Sequence, residues 1–165
     1  MNRWLLRLPL LAALAALAFL LWQWCFPSPE KLIRRRLANL AQAASYGPNQ
    51  GRLATLLSVN KLLGFFTDDA EVSLEAGELD RTLTGRDQLR EAALAAHSTF
   101  TSLNVAFQHL HLAVAPDRLS AQVDLLASVK VPTDPDQQFY ELRFTFHNQD
   151  RAWLIQRIES VKTLR

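Results

Sequence analysis

The sequence LSAQVDLLASVKV at residues 119–131 alternates apolar and polar side chains, and YELRFTFH at residues 140–147 repeats the pattern. Because side chains alternate between the two faces of a strand, a period of two predicts strands with one apolar and one polar face. The side chains that we expect to face the core of the protein include Val123, Leu125, Phe144 and Phe146.

Turn signals divide the chain from Leu103 to its end into four strands of similar length. These signals are Pro116-Asp117, the segment from Pro132 to Pro135, and Asn148-Gln149-Asp150. Consecutive strands joined by short turns pair antiparallel, so we predict a four-stranded meander with one face on the core and the other in water.

Three helices and a short strand pair, with a strand from Ala70 to Leu74, are predicted before the meander. Pro29 at the first helical position, after Ser28 as the N-cap, begins a helix whose apolar face follows a period of 3.6. Its apolar face comprises Ile33, Leu37, Leu40, Ala41 and Ala44. The second helix, after a loop at residues 46–51, has Leu53, Leu56, Leu57 and Leu63 in register. Thr84-Gly85-Arg86-Asp87 is typical of a capping box that opens the third helix, with Leu89, Ala93, Ala96 and Phe100 on one face.

These elements predict an α+β domain of three helices packed on a curved, mostly antiparallel sheet. The chain resembles the nuclear transport factor 2-like superfamily, which includes SnoaL-like domains, over residues 29–164. The matching segments are residues 66–72 before the first strand, residues 83–87 at the third helix, and residues 153–159 in the last strand. The resemblance implies a cone-shaped, cystatin-like fold, and this fold hosts enzymes, ligand binders and scaffolds.

The first 26 residues predict a membrane anchor ahead of a domain at residues 27–165. Arg3 and Arg7 are basic, and an apolar run extends from Leu8 to Leu21. Including its flanks, the segment has about the ~20 residues that a membrane-spanning helix needs. The tryptophans expected at the headgroups are Trp4, Trp22 and Trp24.

A secretory signal would be similar, but it needs small residues at the cleavage site, where this chain has Gln23 to Pro27. We therefore favour a retained single-pass anchor over a removed signal. The sequence contains conflicting signals about the side of the membrane on which the domain lies. The basic N-terminal tail favours an exported domain, whereas Lys31 and Arg34–Arg36 favour a cytoplasmic one. We favour the extracytoplasmic side, because residues 34–36 belong to a folded helix.

Composition excludes several classes of function. The chain has 18 basic and 16 acidic residues, and two of the basic ones lie in the N-terminal tail, so the domain is formally neutral. No global attraction to nucleic acid is expected. The single cysteine, Cys25, excludes an internal disulfide and a zinc site built from several cysteines. We expect no cofactor.

A few side chains are candidates for chemistry. His97 on the third helix and Tyr140 on the apolar side of a strand are candidate acid/base groups, since the resemblance implies that enzymes of the superfamily project such groups into the cone. His109 and His111 have a spacing that can direct two imidazoles at one metal. No third ligand lies nearby in the sequence, so His147 or Asp124 would have to supply one after folding. We predict a charged surface for a ligand or partner at Lys130, Glu141, Arg143 and Arg157.

Two functions remain open. The first is a membrane-anchored, non-catalytic domain that binds a partner protein, a second copy of itself or an apolar ligand at the membrane surface. The second is a membrane-attached SnoaL-like isomerase, hydrolase or dehydratase that acts on a lipophilic substrate through His97 and Tyr140. A pocket with convergent polar groups would favour the enzyme.

Overall fold

A computed structural model describes residues 28–76, 79–132 and 136–161. The predicted anchor at residues 4–26, with Trp4, Trp22 and Trp24, lies outside these residues. Within the described ranges, no helix has both the length and the apolar character needed to cross a bilayer.

The three helices are α1 (Pro29–Ala44), α2 (Arg52–Leu63) and α3 (Gly85–Thr99). The six strands are β1 (Phe66–Ala76), β2 (Leu79–Thr84), β3 (Asn104–Val114), β4 (Ser120–Lys130), β5 (Gln138–Gln149) and β6 (Ala152–Ser160). They form one mixed sheet in the order β2-β1-β6-β5-β4-β3.

The predicted meander is confirmed, since β3, β4, β5 and β6 pair antiparallel with their neighbours in chain order. The short strand pair β1–β2 is also antiparallel. It joins the meander through a parallel pairing of β1 with β6, in which Val72 lies opposite Ile158. The sheet is therefore mixed, with one parallel pair among the strands described.

The core lies between the helices and one face of the sheet. The four strand residues expected there are buried, with Val123 and Phe146 fully inaccessible, Phe144 2% exposed and Leu125 4% exposed. From α1, Ile33 and Leu37 belong to the core as predicted. Burial of a large apolar side chain contributes about 1.5–3 kcal/mol, so this face of the sheet fixes the position of the helices. We call it the inner face, and the opposite side the outer face.

The predicted apolar face of α2 is correct at Leu63 and wrong at its other three leucines. Leu53, Leu56 and Leu57 are 73%, 45% and 62% exposed, and the buried residues of this helix are Val59 and Leu63. The helix has apolar residues around most of its circumference, so its neighbours decide which side is buried. It packs on α1 and α3 along the narrow edge that Val59 and Leu63 form.

The predicted capping box at α3 is correct in position and wrong in detail. Thr84 is the N-cap, but its side chain makes no capping bond. Its backbone N–H donates instead to Oε1 of Gln88 at 2.9 Å, one residue beyond the predicted partner Asp87. Gly85 has φ +81°, a left-handed conformation that glycine adopts without strain, and this sharp turn displaces the usual pairing by one residue.

Candidate ligand-binding cavity

A cavity of about 390 Å³ lies between the helices and the inner face of the sheet, and we call it the inner cavity. Leu40 of α1 and Leu62 of α2 line its helical side. Side chains of five strands form the remaining wall, among them Phe66, Leu74, Phe107, Ala127, Phe144 and Ile158. The volume is within the range of about 300–1,000 Å³ that is typical of small-molecule sites.

The lining residues are apolar apart from Tyr140 and Ser160, each of which carries a hydroxyl group. Among the described lining residues, Tyr140 is the one that can ionise. Its hydroxyl donates a hydrogen bond to Oε1 of Gln138, which fixes the direction of the proton and leaves the phenolic oxygen as an acceptor. The cavity therefore offers a large apolar surface with few polar contacts.

His97 lies elsewhere. It is near the C-terminal end of α3, where its ring stacks on Tyr46 with the centroids 3.8 Å apart. The Tyr46 hydroxyl donates to the backbone oxygen of Ala96 at 3.0 Å. Partial burial lowers the pKa of His97 and raises the pKa of Tyr46. With Thr55 and other residues, the pair lines a separate cavity of about 200 Å³. The structure thus places His97 and Tyr140 in two different cavities.

A cavity of about 330 Å³ on the outer face brings several predicted residues together. His109, His111, Glu141 and Arg143 all line it, beside Asp124. The Nε of Arg143 donates to Oδ1 of Asp124 at 2.7 Å, and the Nη2 of Arg143 donates to Oδ2 of Asp124 at 3.3 Å. The hydrogen bond and the charge of Asp124 raise the pKa of Arg143.

The histidine pair is not part of a complete metal site. His109 has φ +52° in an irregular stretch of β3 between Gln108 and His111. Asp124, which lies opposite His111, is held by Arg143. In the part of the chain that the structure describes, no group of three or more histidine, cysteine, aspartate or glutamate side chains could hold a metal ion.

The remaining members of the predicted charged surface lie apart from this cavity. Arg157 forms an ion pair with Glu71 at 2.8 Å and lines a second polar cavity with Asp69. Lys130 is exposed at the end of β4. The outer face is therefore charged along its length, but its cations are distributed over separate places.

Arg36 has a structural role that sequence reasoning assigned only in general terms. Its guanidinium donates to the backbone oxygen of Gly64 at 2.7 Å and lies 4.5 Å from the centroid of the Phe65 ring. Burial lowers the pKa of Arg36. The side chain thus joins α1 to the end of α2, in agreement with the expectation that helix packing accounts for part of the basic cluster at residues 34–36.

Sequence reasoning identified the apolar parity of the strands but missed the inner cavity. The cavity could have been predicted from the small size of some residues that face the core. The main example is Ala127, which lies opposite Tyr140 and Phe107 on the neighbouring strands. Ala44 at the end of α1 is also small and lines the same space. Small side chains among large ones leave unfilled volume where a curved sheet meets a helix.

Solved structures share this fold at low sequence identity. A nuclear transport factor 2-like protein with a cystatin-like fold from Novosphingobium aromaticivorans superimposes with a TM-score of 0.62 at 17% identity, covering 91% of this chain and 88% of that chain. The Aln2 protein of a Streptomyces species gives a TM-score of 0.64 at 17% identity, with coverages of 83% and 94%.

A protein of unknown function with a cystatin-like fold from Nostoc punctiforme gives a TM-score of 0.60 at 14% identity, with coverages of 82% and 92%. No protein-family model and no curated protein matches the chain. The expected nuclear transport factor 2-like, cystatin-like fold is thus confirmed. Because this fold hosts many activities, the likeness does not extend to function.

Proposed function

We propose that this protein is a non-catalytic binding protein that holds a small apolar ligand in the inner cavity, near a membrane surface. The observation that carries the proposal is the composition of that cavity. Apolar side chains form nearly all of its wall, and the hydroxyls of Tyr140 and Ser160 are the polar groups of the lining.

The energetics favour a lipophilic ligand. Apolar contact contributes about 25 cal/mol per Å² removed from water, so a molecule that fills the cavity gains most of its affinity from burial. A polar group on the ligand can bind the acceptor oxygen of Tyr140. A ligand with an apolar body and one hydroxyl or amide donor would match both features.

The predicted anchor supports the membrane part of the proposal. A tether at residues 4–26 would hold the cavity near a bilayer, where apolar molecules are concentrated. The enzyme alternative has less support, since its candidate pair His97 and Tyr140 lines two cavities.

The test is to identify what the full chain carries when it is purified from membranes. Organic extracts of the wild type and of Val129→Trp, which places a larger side chain in the lining, are compared by mass spectrometry. Losing about 60 Å² of apolar contact costs about 1.5 kcal/mol, so we expect at least an approximately tenfold loss of the specific ligand.

The matched control is Val131→Trp, two residues further along and outside the cavity lining. It should retain the ligand at the wild-type ratio to protein. If the wild type and Val129→Trp give identical extracts, and thermal melting curves show that both proteins are folded, the proposal is overturned. If Tyr140→Phe carries a molecule that the purified wild-type protein then converts into the one it carries itself, the inner cavity performs a reaction and the enzyme alternative is favoured.

A further inference from the structure

Three leucines of α2 lie together on the protein surface, and we call Leu53, Leu56 and Leu57 the leucine face. Their spacing of i, i+3 and i+4 places them on one side of the helix. They are 73%, 45% and 62% exposed, and they lie among the most exposed large apolar residues described. The helix already buries another edge in the protein, so this exposed apolar strip is not needed for the core. Exposed strips of this kind mark sites that contact another molecule or a membrane.

The charge next to the leucine face is positive. Arg52 is four residues before Leu56, and Lys61 is four residues after Leu57, so each cation neighbours a leucine on the helix surface. Residues 52–63 contain no aspartate or glutamate.

The same polarity extends over the whole domain. Residues 29–63, which form α1 and α2, contain six basic residues and one acidic residue, a net charge of +5. Residues 64–165 contain ten basic and fifteen acidic residues, a net charge of −5. The formally neutral domain thus has a cationic segment that forms α1 and α2 and an anionic remainder that includes α3.

We propose that the leucine face docks on an anionic phospholipid bilayer. An amphipathic helix with leucines on one side and flanking cations is suited to the interface, where apolar side chains enter the acyl boundary and cations contact phosphates. The apolar run from Leu8 to Leu21 shortly precedes α1 in the sequence, so a bilayer is close if that run is anchored. Docking then becomes an intramolecular step, which needs little intrinsic affinity.

A second copy of the chain is a less suitable occupant. If two leucine faces met, Arg52 and Lys61 of each copy would approach cations of the other, and residues 52–63 supply no acidic partner. Like charges across an interface oppose association. Lipid headgroups provide the missing negative charge. The inference stands on the surface of α2 and its charge, and it does not depend on the ligand of the inner cavity.

The experiment uses the full chain with Cys25→Ala, reconstituted in vesicles of phosphatidylcholine with or without phosphatidylglycerol. A nitroxide is attached at Leu57→Cys, or in the matched control at Phe139→Cys. Phe139 is also an exposed apolar residue, 55% accessible, but it lies on β5 in register with Ser128, away from α2. Access of oxygen and of a water-soluble nickel complex to each label is measured by electron paramagnetic resonance.

In anionic vesicles the label at position 57 should be more accessible to oxygen than to the nickel complex. The label at position 139 should be more accessible to the nickel complex. The substitutions Arg52→Gln and Lys61→Gln should each lower the docking equilibrium constant, the ratio of docked to undocked protein, by roughly fivefold. Replacing the anionic vesicles by phosphatidylcholine alone should also lower this ratio. Equal nickel access at both positions in anionic vesicles would overturn the proposal. So would spin–spin broadening at position 57 that disappears on dilution with unlabelled protein, because it would identify a second copy as the occupant.

Discussion

Truncation of Phe144 tests the register on which the architecture depends. Phe144 is 2% exposed, and its ring meets Phe107 edge-on at 5.6 Å and stacks near Phe146 at 6.3 Å. Phe144→Ala removes about 2 kcal/mol of transfer free energy. An unrelaxed space of about 100 Å³ at roughly 24 cal/mol per Å³ adds about 2.4 kcal/mol. We therefore expect a loss of about 3 to 5 kcal/mol in the free energy of unfolding.

The assay is guanidinium unfolding of the full chain, followed by far-ultraviolet circular dichroism. The matched control is Phe139→Ala, which removes the same atoms from an exposed position on the same strand. It should change the free energy of unfolding by less than about 1 kcal/mol. A loss below about 1 kcal/mol for Phe144→Ala, or equal losses for the two variants, would refute the assigned faces of β5.

Three further predictions concern the anchor, the surface and pH. Mass spectrometry of the membrane fraction should detect the N-terminal peptide with Trp4, and a mature protein that begins near Pro27 would contradict a retained anchor. Arg143→Glu with Lys130→Glu should weaken co-purification of crosslinked partners, whereas His97→Ala should not; the reverse result in folded proteins would favour catalysis. Burial lowers the pKa of His97 below its usual 6.5, so the folded state prefers the neutral ring. The contribution of neutral His97 to the stability of the fold is complete above pH 6.5. It is lost as the pH falls through the lower pKa that His97 has in the folded state. The melting temperature of the wild type should accordingly fall more below pH 6.5 than that of His97→Phe, which keeps an aromatic ring beside Tyr46. Parallel curves would exclude this role for His97.

The meander could be predicted because alternation is a local property of each strand. Val123 and Phe144 lie opposite each other in β4 and β5, and both are buried, as their parity requires. The parallel pairing of β1 with β6 could not be predicted in the same way. Val72 and Ile158 are far apart in the chain, and their partnership depends on how the helices return β1 to the sheet.

The candidate site was predicted less well, because distance and volume are properties of the folded chain. Parity indicated that Tyr140 faces the cone, and this residue does line the inner cavity. Nothing in the sequence fixes how far His97 lies from it, and the two occupy different cavities. The space itself depends on the volumes of side chains from several elements, such as Leu40, Ala127 and Phe107, rather than on one motif.

Helix α2 joins the two surfaces on which the proposals depend. Leu62 lines the inner cavity, while Leu57, five residues earlier, is 62% exposed. One short helix therefore separates the apolar interior from the apolar exterior. If the leucine face contacts lipid, the other side of the same helix remains a wall of the cavity. Any shift of α2 on docking then changes the cavity, and by linkage a ligand that prefers one position of α2 changes docking by the same free energy.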